Sequence, residues 1–278
     1  MVKVEKTREP RQWTEHRNTP GADFTTNPHL QMTILRDQGF TCAYCGRRIP
    51  CNDRKEGSDD YRQDKVRIEH VYPRDFLDTP AERMDFSNLV ACCPGCIGGD
   101  DKFHCDLRKG NRIIHFDIFN DKVEDLFYYV TNVKSPLAGK ICTDVFIRTE
   151  PGEKEREWLD KNRPQWDRTG EGMLEVSLQR EIGDIDSDYD PDNILNLNHI
   201  LLRQNRRAVI MAIQRKAAAA GQNIGKNWWY SLLRFFEEKT VDVQYTDPDT
   251  KKEVSMKAYP EYRAIAIHYI KKKLRKYS

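Results

Sequence analysis

This sequence lacks an apolar run of the roughly 20 residues that a helix needs to cross a bilayer. Its opening, Met1-Val2-Lys3-Val4-Glu5-Lys6, is too polar for the hydrophobic segment of a signal peptide. A cytoplasmic protein with no membrane partner is therefore expected. A dominant sign of charge is also missing: 46 Lys and Arg stand against 44 Asp and Glu, a net of +2. That excludes a uniformly cationic nucleic-acid binder and leaves only local basic patches. No internal repeat is evident.

Two ligand motifs fall short. Gly221-Gln222-Asn223-Ile224-Gly225-Lys226 has one residue too few between its glycines for a phosphate loop, and Asn227 stands where Ser or Thr should bind magnesium. Any NTPase activity should then come from a partner. The alternating acids Asp184, Asp186, Asp188, Asp190 and Asp192 lack the turn glycine and closing Glu of a calcium loop; Tyr189 and Leu195 stand in those places. They read as a solvated linker into a helix N-terminus, where acids are favoured.

What the chain does have is cysteine, eight in all, seven of them between residues 42 and 105. In a reducing compartment such clustering points to metal rather than disulfides. Cys42-Ala43-Tyr44-Cys45 aims two sulfurs at one point, and a second pair would close a tetrahedral zinc site. Spacing leaves that second pair open, because Cys92 or Cys93 can combine with Cys96 or with Cys105. Cys142 stands apart and reads as a core residue.

The expected fold is α+β, mostly helical. An N-terminal arm and helix (1–40) precede a zinc-stabilised unit (41–120), a mixed connector (121–190) and a C-terminal helical unit (191–278). Asn27-Pro28 should start a helix that Gly39 stops, with Leu30, Ile34 and Leu35 on one face. Residues 46–50 and 65–71 read as β-like around a charged loop at 52–65. Ser87 should cap a short helix through residues 88–90, and a glycine-rich loop runs from 94 to 99. Val145-Phe146-Ile147 is β-prone. Helix is expected from Asp192 to Gly221, then over 227–239 and 260–277. Trp228-Trp229 and Phe235-Phe236 are expected in the core or an interface.

The chemistry sits between the cysteines. Phosphodiester hydrolysis needs a base to activate water and a cation to neutralise the scissile phosphate. His70 is a suitable base near neutral pH. Glu69 and Asp106 offer oxygen ligands suited to Mg²⁺ or Mn²⁺, Asn88 could fix backbone so that the base points correctly, and Lys109 could contact phosphate. Neighbours on a regular strand face opposite sides, so Glu69 and His70 share a site only if the strand ends or twists there. Pro73 allows such an ending. Arg206 and Arg207, with Arg203, Arg215, Lys216 and the basic C-terminus, could track a nucleic-acid backbone or form a solvated face.

The strings Cys42-Ala43-Tyr44-Cys45, Glu69-His70-Val71-Tyr72-Pro73, Asn88-Leu89-Val90-Ala91 and His104-Cys105-Asp106-Leu107-Arg108-Lys109-Gly110 resemble an HNH (ββα-metal) endonuclease of the four-cysteine form. Within that superfamily they are similar to the PtuB nucleases of Septu-type and retron-associated antiphage systems. Ile194-Leu195-Asn196-Leu197-Asn198 followed by Arg206-Arg207 is similar to that family's C-terminal half. The resemblance covers roughly residues 10–115 and 190–240. It implies a general base at His70, a metal ligand at Glu69 and an orienting asparagine at Asn88. Asp106 stands where many of these nucleases have His or Asn, which makes His104 its rival. Cys105 is favoured over Cys96 as the fourth zinc ligand, and Cys93 is taken over Cys92. Also implied are structural Zn²⁺, catalytic Mg²⁺ or Mn²⁺, and a nucleic-acid substrate, with DNA favoured and RNA or tRNA the alternative. The implied partners are a PtuA-like ABC/SMC ATPase and, in retron-associated forms, a reverse transcriptase with its DNA/RNA product. The competing expectation is a zinc-ribbon binding or scaffold subunit that does not cut.

Overall fold

A computed structural model describes residues 1–49, 66–96, 103–163, 165–221 and 224–277. The charged loop expected at 52–65, Cys51 and the glycines at 98–99 lie outside the described residues. The fold is mixed α+β, with small two-stranded antiparallel sheets set among helices. No described helix is long and apolar enough to cross a membrane.

The chain begins with an extended arm laid across β2 and the segment after α4, elements defined below. Its Val4 N–H donates to the Ile118 carbonyl (2.9 Å), and Lys6 Nζ donates to the Leu89 carbonyl (2.5 Å). Helix α1 (Arg11–Arg17) buries Trp13 completely, and the indole N–H donates to the Met84 carbonyl at 3.0 Å. Helix α2 (Pro28–Asp37) starts where expected: Asn27 Oδ1 accepts from Leu30 N at 2.8 Å, and Pro28 needs no donor in the first turn. Leu30, Ile34 and Leu35 are all fully buried. Each such side chain stabilises by roughly 1.5–3 kcal/mol relative to exposure.

Strand β1 (Arg67–His70) pairs antiparallel with β2 (Leu89–Cys92), setting Glu69 opposite Val90 and His70 opposite Leu89. Between them lies a short helix, α3 (Pro80–Arg83), closed by a capping box of Thr79 and Glu82. The helix expected at 88–90 is a strand. Asp85, not Ser87, caps a 3₁₀ turn over Phe86–Asn88, and β2 begins at Leu89. Its four residues are all buried, and a short, continuous apolar run suits a strand covered on both faces. Helix α4 (Cys105–Lys109) comes next and ends at Gly110 with φ +53°.

The connector contributes β3 (Tyr128–Tyr129) with β4 (Ile141–Cys142), and β5 (Phe146–Thr149) with β6 (Leu174–Ser177). Helices α5 (Glu153–Asn162) and α6 (Leu178–Ile182) pack beside them. The long helix α7 (Ile200–Ala220) begins eight residues later than expected from Asp192. Asparagine side chains take over the backbone in that interval. Asn193 Oδ1 accepts from Asn196 N (2.7 Å), and Asn198 Nδ2 donates to the carbonyls of Ile141 (2.8 Å) and Gly183 (2.7 Å). Helix α8 (Lys226–Glu237), the hairpin β7 (Val241–Thr246) and β8 (Glu253–Ala258), and helix α9 (Arg263–Leu274) complete the fold. Trp229 and Phe236 are buried, and Trp229 meets Tyr269 of α9 edge-on at 6.3 Å. One apolar core runs from Trp13 through α2 and β2 to α9.

His115, which the sequence marks for no role, ties the connector together. Its backbone N–H donates to Glu181 Oε2 at 3.1 Å, Nδ1 bonds Glu181 Oε1, and Nε2 bonds Glu155 Oε1 at 3.0 Å. Burial opposes the charge, but the two carboxylates more than offset it and hold the imidazolium up to about 9. A histidine raised above its ordinary 6.5 favours folding below that pH and loses the contribution as pH climbs through about 9. Unfolding free energy should therefore fall by about 3 kcal/mol across this window, as read by denaturant titration. His115→Gln should flatten that dependence.

Candidate metal centre and active site

Four sulfurs converge from three chain segments. The first segment is a knuckle: the Cys42 N–H donates to the Arg47 carbonyl (2.8 Å), the Gly46 N–H returns to the Cys42 carbonyl (3.0 Å), and Gly46 sits at φ +75°. Cys93 leaves β2 directly. Gly95 (φ +78°) then turns the chain so that its carbonyl accepts from His104 N at 2.8 Å. A Cβ there would stand 2.6 Å from the His104 carbonyl oxygen. Cys105 itself adopts φ +56°, a conformation that costs a non-glycine residue on the order of 1 kcal/mol or more. Its N–H is held by the Leu195 carbonyl at 2.8 Å.

Cys42, Cys45, Cys93 and Cys105 are all buried, with sulfurs within 4.8 Å of one another. Cys42 to Cys105 is 3.9 Å and Cys45 to Cys93 is 3.8 Å. Tetrahedral zinc with Zn–S bonds near 2.3 Å requires an S···S edge of roughly 3.8 Å. Burial, with the neighbouring thiols Cys42, Cys45 and Cys93, holds the Cys105 thiol well above its ordinary value. The four can ionise together only around a cation. This donor set fits a structural metal such as zinc. Cys92, also buried, belongs to β2 opposite Arg67, and Cys96 is half-buried, with its carbonyl accepting from Arg47 at 3.0 Å. Neither sulfur is in the cluster.

His104 goes with the sulfurs, not with the carboxylates. Its ring is completely buried, and Nδ1 lies 3.1 Å from Cys105 Sγ and 3.9 Å from Cys93 Sγ. Burial pushes its pKa down to about 4. The left-handed turn at Cys105 separates its neighbours, sending His104 to the cluster and Asp106 to β1. His104 thus lies against the sulfurs, whereas Asp106 lies with Glu69.

Alternation along β1 sets the remaining side chains. Arg67 and Glu69 share the face toward α4, where Asp106 and Lys109 project one turn apart. Lys109 Nζ donates to Glu69 Oε1 at 2.6 Å and to the His70 carbonyl at 3.0 Å, while Arg67 pairs with Asp106. Burial raises the Glu69 carboxyl to about 8, with Lys109 pulling the other way and Asp106 adding to the rise. Each carboxylate thus already carries a cation from the chain, and in this conformation the pair does not fit a hard divalent ion.

His70 faces away from that quartet. Its Nε2 bonds the Arg83 carbonyl at 2.7 Å, and its ring meets Phe24 edge-on at 4.5 Å. Burial, joined by the charges of Arg74, Lys109 and Arg83, lowers its pKa. The strand does end at His70, but the two neighbours still engage opposite sides of it. Asn88 pins the turn after the strand: its Oδ1 accepts from Tyr72 N (2.8 Å) and its Nδ2 donates to the Tyr72 carbonyl (2.9 Å).

Two expected phosphate contacts are internal. Lys109 is 1% exposed and belongs to Glu69. Arg206 is 2% exposed, donating from Nε to the Gly139 carbonyl and from a terminal nitrogen to the Leu197 carbonyl, both at 2.6 Å. Successive helix residues point about 100° apart, so Arg206 turns inward and Arg207 outward to solvent. Sequence reasoning missed Arg67, although its spacing of two from Glu69 on a strand places both on one face. Nothing in the sequence signals Phe24 or the Arg83 carbonyl as neighbours of His70.

No protein-family model matches this sequence, and no curated protein matches it.

The cluster predicts a clean split among cysteine variants. Cys93→Ser and Cys105→Ser should lose most bound zinc and unfold at lower denaturant. Cys92→Ser and Cys96→Ser should keep about one zinc per chain, measured by elemental analysis of purified protein.

Proposed function

We propose that this chain is an HNH-type endonuclease that hydrolyses phosphodiester bonds, as the effector of a prokaryotic antiphage complex with an ABC/SMC-like ATPase. DNA is the favoured substrate, with RNA or tRNA the alternative. The observation that carries the reading is the strand–strand–helix unit of β1, β2 and α4, closed by four cysteines. Around it lie a histidine at the strand end, an asparagine clamp on the next turn and a carboxylate pair.

His70 is the base of this reading. With Nε2–H donated to the Arg83 carbonyl, Nδ1 carries the lone pair. Burial keeps the ring neutral near pH 7, ready to take a proton from the water that attacks phosphorus. The clamp of Asn88 on Tyr72 fixes the turn that leaves His70, which holds the ring's direction. Zinc in the cysteine cluster is structural and takes no part in the reaction. Glu69 and Asp106, paired with Lys109 and Arg67, seat β1 on α4. Arg67, with 42% of its side chain exposed, is the cation of that quartet best placed to meet a phosphate. Substrate access requires Phe24 to move off the imidazole, since His70 is only 6% exposed.

That same burial favours a second reading, a zinc-stabilised scaffold or binding subunit without cleavage. The two differ in one assay. Cleavage by the purified complex should fall about 10²–10⁴-fold in His70→Ala, whereas unchanged cleavage would refute His70 as base. Because burial lowers the His70 pKa, the acid limb of the single-turnover pH profile should have its midpoint below 6.5, the ordinary histidine value. A midpoint at or above it would point to a different base.

A further inference from the structure

We infer that the Lys109 ammonium occupies the place of a divalent cation on the Glu69–Asp106 pair, so that a hard metal binds there only in exchange for it. The inference rests on the nuclease reading only in taking Glu69 and Asp106 as the carboxylates that a hard metal would use.

Three observations carry it. First, the lysine is wholly internal: its side chain is 0% exposed and its Nζ lies 2.6 Å from Glu69 Oε1. Second, the pair already holds two cations, Lys109 on Glu69 and Arg67 on Asp106, so a divalent ion added without loss of a cation would place further positive charge in a buried site. Such excess is strongly disfavoured where the effective dielectric constant is low. Third, the two cations are unequal. Arg67 has 42% of its side chain exposed and can turn to water, whereas Lys109 must leave a buried seat. Lys109 is therefore the one that governs occupancy.

The exchange would also reach the base. Lys109 Nζ donates to the His70 carbonyl at 3.0 Å, and His70 carries the imidazole on the opposite side of the strand. The Asn88 clamp holds the same turn two residues on. Displacing the ammonium frees the His70 carbonyl at the start of that turn. Metal occupancy on one face of β1 is thereby coupled to backbone position under the base on the other. Lys109 is in these terms a positioning residue, acting on the reaction through Glu69 and His70.

The test is Mn²⁺ binding to the zinc-loaded full chain, read from the loss of the free-ion electron paramagnetic resonance signal. Lys109→Met, which keeps the stem and removes the charge, should bind one Mn²⁺ at least tenfold more tightly than the native chain. Adding Glu69→Gln should abolish the gain. Equal affinity in native and Lys109→Met chains, no binding by either, or a gain that survives Glu69→Gln would each overturn the inference. Should Lys109→Met fail to retain zinc, the native chain supplies the measurement. The ¹⁵N resonance of the Lys109 ammonium should shift in proportion to bound Mg²⁺, and an unchanged resonance at saturation would overturn the proposal equally. Because these readouts are of binding, their failure is separate from failure of the His70→Ala cleavage test.

Discussion

Convergence of Cys42, Cys45, Cys93 and Cys105 is the constraint on which the rest of the site depends. The strands β1 and β2 are four residues each and α4 is five. Elements so short are marginal alone. The cluster joins the knuckle after α2, the exit of β2 and the start of α4. A bound structural zinc contributes on the order of 10 kcal/mol in small folding units, far more than the strain of a left-handed Cys105. The strain is also useful. By reversing the chain at Cys105, it turns α4 so that Asp106 and Lys109 meet β1, and it leaves His104 packed against the sulfurs.

The second constraint is the two-residue period of a strand. It puts Arg67 and Glu69 on the α4 side, and Ile68 and His70 on the side covered by Phe24 and the Arg83 carbonyl. An adjacent Glu-His pair in sequence is thereby divided into an electrostatic face and a histidine-bearing face. What links them is backbone, through the His70 carbonyl that Lys109 holds and the Tyr72 amide that Asn88 holds.

Much of this was legible in the sequence where chemistry is local. The Asn27-Pro28 start of α2, the Cys42–Cys45 knuckle and the stop of α7 at Gly221 depend on neighbours within a turn. The ends of α8 and α9 came within two or three residues of expectation for the same reason. Choosing Cys105 over Cys96 needed more than spacing, because Cys93 and Cys96 already form a visible knuckle and Cys105 lies beyond a glycine-rich stretch. Lys109 and Arg206, expected to contact nucleic acid, are buried, because sequence shows a charge but not its partner. Glu69 is 40 positions from Lys109, and the Gly139 carbonyl is 67 positions from Arg206. The helix expected at 88–90 rests on Ser87 as its cap, whereas Asp85 caps a 3₁₀ turn ending at Asn88 and the buried run from Leu89 is a strand.

The quartet of Arg67, Glu69, Asp106 and Lys109 bears on whether this unit is a scaffold or a site. Buried ion pairs are poor stabilisers, since desolvation offsets most of their attraction, and well-packed apolar residues of similar volume do as well or better. A unit that needed only to hold β1 against α4 would be served by leucines, in line with the apolar surroundings of α2 and β2. Instead, Glu69 is kept where burial raises its carboxyl to about 8, close beside Asp106. A buried acid whose carboxyl is raised, close against a second acid, is a feature of reactive sites as well as of structural ion-pair networks. The cysteine cluster alone is equally consistent with a ribbon that binds and does not cut. The cost of this charged interior is what supports the proposed nuclease reading over a ribbon.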